Sequence, residues 1–211
     1  MALSASRIKE ALLQEFPEPR IELNFSNPLE LLIATILSAQ CTDKKVNEVT
    51  SKLFKKYRSV EDYAKASIEQ LTEDIKGVTF AAQKAKQIIK ACKLLLDKHK
   101  GSVPDTMEAL TELPGVGRKT ASVVLGSAFG IPAIAVDTHV LRVSNRLGIV
   151  TSDKPEEVEE ALKRFFNKED WIAVNLAMIL HGRYICKAKK PLCDNCLLYN
   201  ECQWDGKKKL T

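Results

Sequence analysis

Apolar residues recur at three- and four-residue intervals along almost the whole chain, and no stretch alternates apolar and polar positions over a strand's length. That period belongs to amphipathic helices, so the expected fold class is all-α. Ile8, Leu12 and Phe16 mark one helix face. Leu29, Leu32, Ile33, Ile36 and Leu37 mark a second, in a helix opened by Pro28 and running to about Gln40. Asp43 is expected to cap a third, with Val46, Val49 and Leu53 facing a core. Ile88, Ile89, Leu94, Leu95 and Leu96 fall in a long helix from about Ala81 to Lys100, ended by Gly101.

Further along, Asp105 and Glu108 stand at the spacing of a capping box, opening a short helix with Met107, Leu110 and Leu113 on one side. Pro114 stops it. Gly115 and Gly117 allow a sharp turn, and a second helix is expected over Arg118 to Phe129, closed by Gly130 and Pro132. The product is a helix–hairpin–helix. Asp137-Thr138 reads as the next helix start, leading to Leu147 and the stop at Gly148, with further helices at about Pro155 to Phe166 and Asp170 to Cys186.

Composition narrows the setting. The chain has 211 residues, 45% of them hydrophobic, enough to bury a sizeable core in one domain or two lobes. No apolar run reaches the length of a membrane span, and Arg7, Lys9 and Glu10 interrupt any signal-peptide core, so a cytosolic protein is expected. The net charge of +5 suits a polyanionic partner without requiring one. Lys207 to Lys209 read as a solvated tail. In a reducing compartment, six cysteines are not three disulfides. Cys186, Cys193, Cys196 and Cys202 follow C-x6-C-x2-C-x5-C, a thiolate set for an iron–sulfur cluster or for tetrahedral zinc, while Cys41 and Cys92 read as small buried hydrophobes.

Candidate chemistry centres on the hairpin. Leu113-Pro114-Gly115-Val116-Gly117-Arg118-Lys119-Thr120-Ala121 leaves backbone N–H groups free at a helix start, where they and the helix dipole can hold a DNA phosphate. A plain turn between helices is the alternative. Lys119 falls in the first turn beside Arg118, and both the helix end and that neighbour favour its neutral, nucleophilic amine. An exposed lysine without chemistry is the plainer reading. Asp137, between the apolar Ile134-Ala135-Val136 and a helix, can be a cap alone or a carboxylate that stabilises developing positive charge on a sugar.

Leu37-Ser38-Ala39-Gln40, the hairpin from Leu113 to Ala121, Val136-Asp137-Thr138-His139, His181-Gly182-Arg183 and the cysteine spacing occur together and in order. In these motifs, over nearly its whole length, the chain resembles the endonuclease III family of DNA glycosylases within the helix–hairpin–helix superfamily. The resemblance implies two helical lobes flanking a DNA-binding cleft: a six-helix barrel at 21–132, and an iron–sulfur domain joining 1–20 to 133–211. It implies a bifunctional DNA glycosylase and abasic-site lyase of base excision repair. Oxidised pyrimidines such as thymine glycol would be its substrates, with Lys119 as the Schiff-base nucleophile and Asp137 as the carboxylate partner. Cys186, Cys193, Cys196 and Cys202 would hold a 4Fe-4S cluster. Gly115, Gly117, Arg118, Lys187, Lys189 and Lys190 would contact double-stranded DNA, Gln40 would fill the gap left by a flipped base, and Phe80 would wedge into the stack.

Gln40 as a helix cap and Phe80 as core are the plainer readings of those two. Thr79, where the family often has glycine, the segment Ala81-Ala82-Gln83, and Cys41 depart from the family pattern. His139 supports the local helix start. The implied setting is a monomer in the cytoplasm, associated with a bacterial or archaeal nucleoid and no membrane. Two rivals are a monofunctional mismatch glycosylase, whose kind typically lacks a lysine at the position of Lys119, and a non-catalytic, metal-stabilised DNA-binding module.

Overall fold

The computed structural model describes residues 3–207. It is all-α: no strand occurs among the described residues, and no described helix is long and apolar enough to cross a membrane. The chain divides into two compact units, one made of Met1–Arg20 with Pro132–Thr211 and the other of Ile21–Ile131.

The Ile21–Ile131 unit carries α2 (Pro28–Ser38), α3 (Asp43–Lys56), α4 (Val60–Lys65), α5 (Ile68–Asp74), α6 (Ala81–His99), α7 (Met107–Thr111) and α8 (Arg118–Phe129). Its centre is α2, in which every residue from Leu31 to Leu37 is buried. A helix apolar on all sides must be enclosed, and α2 packs against α3, α6 and α8. The long α6 lies against α4 and α5, and α7 against α8. These are seven helical segments where six are expected. The difference arises between α3 and α6, where Ser67 accepts from the Gln70 N–H and starts a fresh helix two residues after α4 ends.

The other unit holds α1 (Ala5–Glu15), α9 (Thr138–Leu147), α10 (Pro155–Phe165) and α11 (Trp171–Tyr184). Helix α11 packs against α1 and α9, and α10 against α9. Ile8, Leu12, Val140, Val143, Val158, Leu162, Val174 and Met178 form the middle of its core. Beyond α11 the chain runs through the four-cysteine segment with only a short 3-10 turn at Cys193–Asn195.

Several helix ends differ from the sequence pattern. Helix α2 stops at Ser38, because Ala39 leaves the helical region with ψ 115°, and Gln40 then takes a left-handed φ of 53°. Thr42, not Asp43, caps α3; its hydroxyl accepts from the Lys45 N–H, and Asp43 becomes the first helical residue, its charge near the positive end of the dipole. Thr106, not Asp105, caps α7. That shift of one residue puts Glu108 second in the helix, a position from which no capping box can close. The true box is Ser59 with Asp62 at the start of α4. Helix α10 ends at Phe165, and α11 runs from Trp171 to Tyr184. Lys207 is no solvated tail: its Nζ donates to the carbonyls of Cys202 and Tyr199 and lies over the Tyr199 ring. Lys208 and Lys209 lie outside the described residues.

Candidate functional site

The hairpin between α7 and α8 is held from below and bare above. Leu113 and Val116 are buried, and the Val116 N–H closes the turn on the Leu113 carbonyl at 3.0 Å. Gly115 has φ 85°, and a side chain there would press on Gln87 at 3.1 Å, so both conformation and space call for glycine. Gly117 differs. Its backbone is extended at φ −93°, and a Cβ there would meet nothing within 4 Å. It caps α8 with no side-chain hydrogen bond, and the first backward bond is Ala121 N–H to the Gly117 carbonyl at 2.9 Å. The amides ahead of Ala121 therefore have no intrahelical acceptor. Gly115, Gly117, Arg118 and Lys119 are all exposed, while Ala121, Ser122, Val124 and Leu125 turn inward. Lys119 thus projects from the first turn of a helix whose positive end carries no cap of its own.

Asp137 is positioned quite differently. Ile134, Ala135 and Val136 are buried, and the Asn175 side chain of α11 pairs with both backbone groups of Ala135 at 2.9 and 3.0 Å. This clamp delivers Asp137 to the start of α9, where Oδ1 accepts from the N–H groups of His139 and Val140 at 2.8 and 2.9 Å. Both cap bonds fall on one oxygen, so Oδ2 stays outside the cap. Gly182 lets α11 approach α9 closely, since a Cβ there would lie 2.7 Å from that of His139. Arg142 then locks the junction, donating to the carbonyls of Thr138, Gly182 and Cys186 and contacting His139 Nδ1. Nothing in the sequence pattern distinguishes Arg142 from a surface arginine; its role comes from three carbonyls brought together by packing.

Cys186, Cys193, Cys196 and Cys202 line one pocket, together with Ile185, Leu192 and Trp204. Among the described residues no three His, Cys, Asp or Glu side chains are gathered tightly enough to hold a single ion. Four cysteines lining one pocket are a donor set of the kind that holds an iron–sulfur cluster or tetrahedral zinc. Arg146 grips both ends of the segment. Nη1 donates to the Lys187 carbonyl at 2.8 Å and to Cys186 Sγ at 3.3 Å, and the Arg146 carbonyl accepts from the Gln203 N–H at 3.0 Å. Its guanidinium also stacks 3.8 Å from the Trp204 ring centre. Burial pushes the Cys186 thiol up, but hydrogen bonds with His181 and Arg146 outweigh it and hold the thiol below its ordinary value. Lys187, Lys189 and Lys190 are exposed on this segment.

Gln40 and Phe80 are exposed as well, Phe80 by 60%, which removes the core reading of Phe80. Nor does Gln40 cap α2, whose C-cap is Ala39. Cys92 is fully buried, whereas Cys41, beside Gln40 in the loop, is only half-buried.

An all-helical fold with this hairpin is that of a helix–hairpin–helix DNA-repair protein, and residues 33–168 match the HhH-GPD superfamily base excision DNA repair protein. Endonuclease III of Bacillus subtilis (strain 168) is 50% identical over 195 residues, spanning 92% of this chain and 89% of its own. Endonuclease III of Escherichia coli (strain K12) is 45% identical over 196 residues, spanning 93% of each. A solved structure of a trapped endonuclease III–DNA covalent intermediate aligns with TM-score 0.91 at 47% identity, covering 96% of this chain and 97% of that one. The chain belongs to the endonuclease III family.

Proposed function

We infer that this protein is a DNA N-glycosylase and abasic-site lyase of base excision repair, and we propose that Lys119 carries its covalent chemistry on oxidised pyrimidines. The observation behind the assignment is the uncapped opening of α8, with an exposed lysine in its first turn. The bare amides after Gly117 suit a DNA phosphate, which would bring the backbone of a damaged strand against Lys119. The Lys119 amine attacks C1′ of the flipped nucleotide, the bond to the base breaks, and the base leaves with a proton. Ring opening turns the adduct into an imine. Loss of a proton from C2′ then expels the 3′ phosphate, cutting the strand. Asp137 offers Oδ2 to the positive charge that develops on the sugar and assists the proton transfers, while its Oδ1 remains with α9.

Gln40 and Phe80 fill and wedge the opened stack, and Arg118, Lys187, Lys189 and Lys190 steer the phosphates. The four cysteines fit a 4Fe-4S cluster, which when bound would supply four metal–thiolate links across the segment after α11. The protein is proposed to act as a monomer in the cytoplasm, at the DNA of a bacterial or archaeal cell. Borohydride reduction on duplexes bearing thymine glycol or an abasic site tests the assignment. A trapped adduct from the native protein, absent with Lys119→Ala, supports it. Binding without adduct or strand cutting would favour the binding-module reading.

A further inference from the structure

Lys84 is a lysine that a stability-driven core would not choose. It lies one turn inside α6 and is only 4% exposed. Burial pushes its ammonium down from the ordinary lysine value, with the neighbouring Cys41 acting against that shift. Its Nζ donates to the carbonyls of Leu37 and Ala39 at 2.7 and 2.6 Å, two of the acceptors that the end of α2 leaves without helical partners. Phe80, four residues earlier, is the residue on which α6 opens. The Lys84 side chain therefore ties the end of α2, which leads into Gln40, to the first turn of α6, which follows Phe80.

Thr79 adds a second tie, its hydroxyl donating to the Gln40 carbonyl at 2.8 Å and lying 3.5 Å from Lys84 Nζ. The two residues so tied are strained in the same way. Gln40 has φ 53° and Phe80 φ 55°, the left-handed region that side chains such as these rarely occupy. A non-glycine residue there is strained and persists only where its surroundings over-determine it.

We propose that Lys84 is a positioning residue that fixes the separation of Gln40 and Phe80, so that both side chains enter an opened base stack together. The proposal rests on the reading that these two residues enter DNA. Lys84 touches neither DNA nor the reacting atoms; it acts through the two loops. A substrate that needs no stack opened should then be indifferent to it.

The test compares native protein with Lys84→Met, which keeps the length of the side chain and removes its donors, on two substrates. On a duplex carrying thymine glycol, single-turnover base release should fall by about tenfold or more. On a single-stranded oligonucleotide with an abasic site, borohydride trapping should stay within about twofold of native. In a protein already carrying Gln40→Ala and Phe80→Ala, Lys84→Met should cost little further. Equal losses on both substrates, no loss on either, or a full additional loss in the double-alanine background would each overturn the proposal. Should Lys84→Met not fold, exposed Thr79→Val is read in the same assays, with a smaller loss confined to the duplex expected and an equal loss on both substrates fatal. If Gln40→Ala with Phe80→Ala leaves the duplex reaction unchanged, the reading beneath the proposal is the one that fails.

Discussion

Helix α8, in the Ile21–Ile131 unit, opens on Gly117 with no side chain across its first amides, whereas α9, in the other unit, opens on Asp137 with a carboxylate across two of them. The two openings share a backbone problem, a row of N–H groups without helical acceptors, and answer it in opposite ways. The Asp137 cap secures α9 from within, typically worth about 1 kcal/mol. Leaving α8 bare forgoes that stabilisation and keeps a local site for an anion. A helix start is thus either finished or available, and here one unit has the available kind at α8 and the other the finished kind at α9.

The largest effect expected is at the available end. Lys119→Ala should lower strand cutting by at least roughly 10³-fold, because no other group replaces a nucleophile, while DNA affinity measured by filter binding stays near native. At the finished end the comparison can be sharpened by separating cap from chemistry. Asp137→Asn should keep α9, since asparagine caps as well as aspartate, yet lose roughly 10²- to 10⁴-fold in base release. Equal activity with unchanged melting would reduce Asp137 to a cap. The units should also differ in their need for the proposed cluster. Cys202→Ser is expected to lower bound iron and speed amide exchange after α11 by about tenfold or more, with little change in α2 to α8, read by hydrogen-exchange mass spectrometry.

The smallest change would make one helix start resemble the other. Gly117→Asp has room, because nothing lies within 4 Å of its Cβ, and no left-handed backbone stands in its way. The new carboxylate should cap α8, leave thermal stability equal or slightly raised, and weaken duplex binding by about tenfold through competition with phosphate. Undiminished binding would show that the bare amides are not where DNA is held.

Much of this contrast is legible in the sequence where punctuation is strong. Gly117, Gly130, Asp137 and Gly148 bound α8 and α9 at the residues that the pattern indicates. Where two polar residues compete for one cap, the pattern fails by one position, as at Thr42 and Asp43 or Asp105 and Thr106; the winner depends on which residue becomes extended. Short α4 and α5 carry too few turns for a period to show. Around the candidate site, Lys119 and Asp137 are visible because glycine and apolar neighbours frame them. Lys84 and Arg142 are not, because each reaches two backbone carbonyls 40 or more residues away, and a carbonyl leaves no mark on composition.

The division of the chain also has a temporal side. Helix α1 is made before the Ile21–Ile131 unit, yet its apolar residues Ile8 and Leu12 belong to a core whose other members begin at Ile134. Lys9 pairs with Asp170, and Glu15 with His181, so its charged partners come later still. At translation speeds of about 5–20 residues per second, the whole of the Ile21–Ile131 unit leaves the ribosome before α1 can dock, a wait on the order of ten seconds. During that interval the nascent chain carries the amphipathic α1 without the core that later covers Ile8 and Leu12.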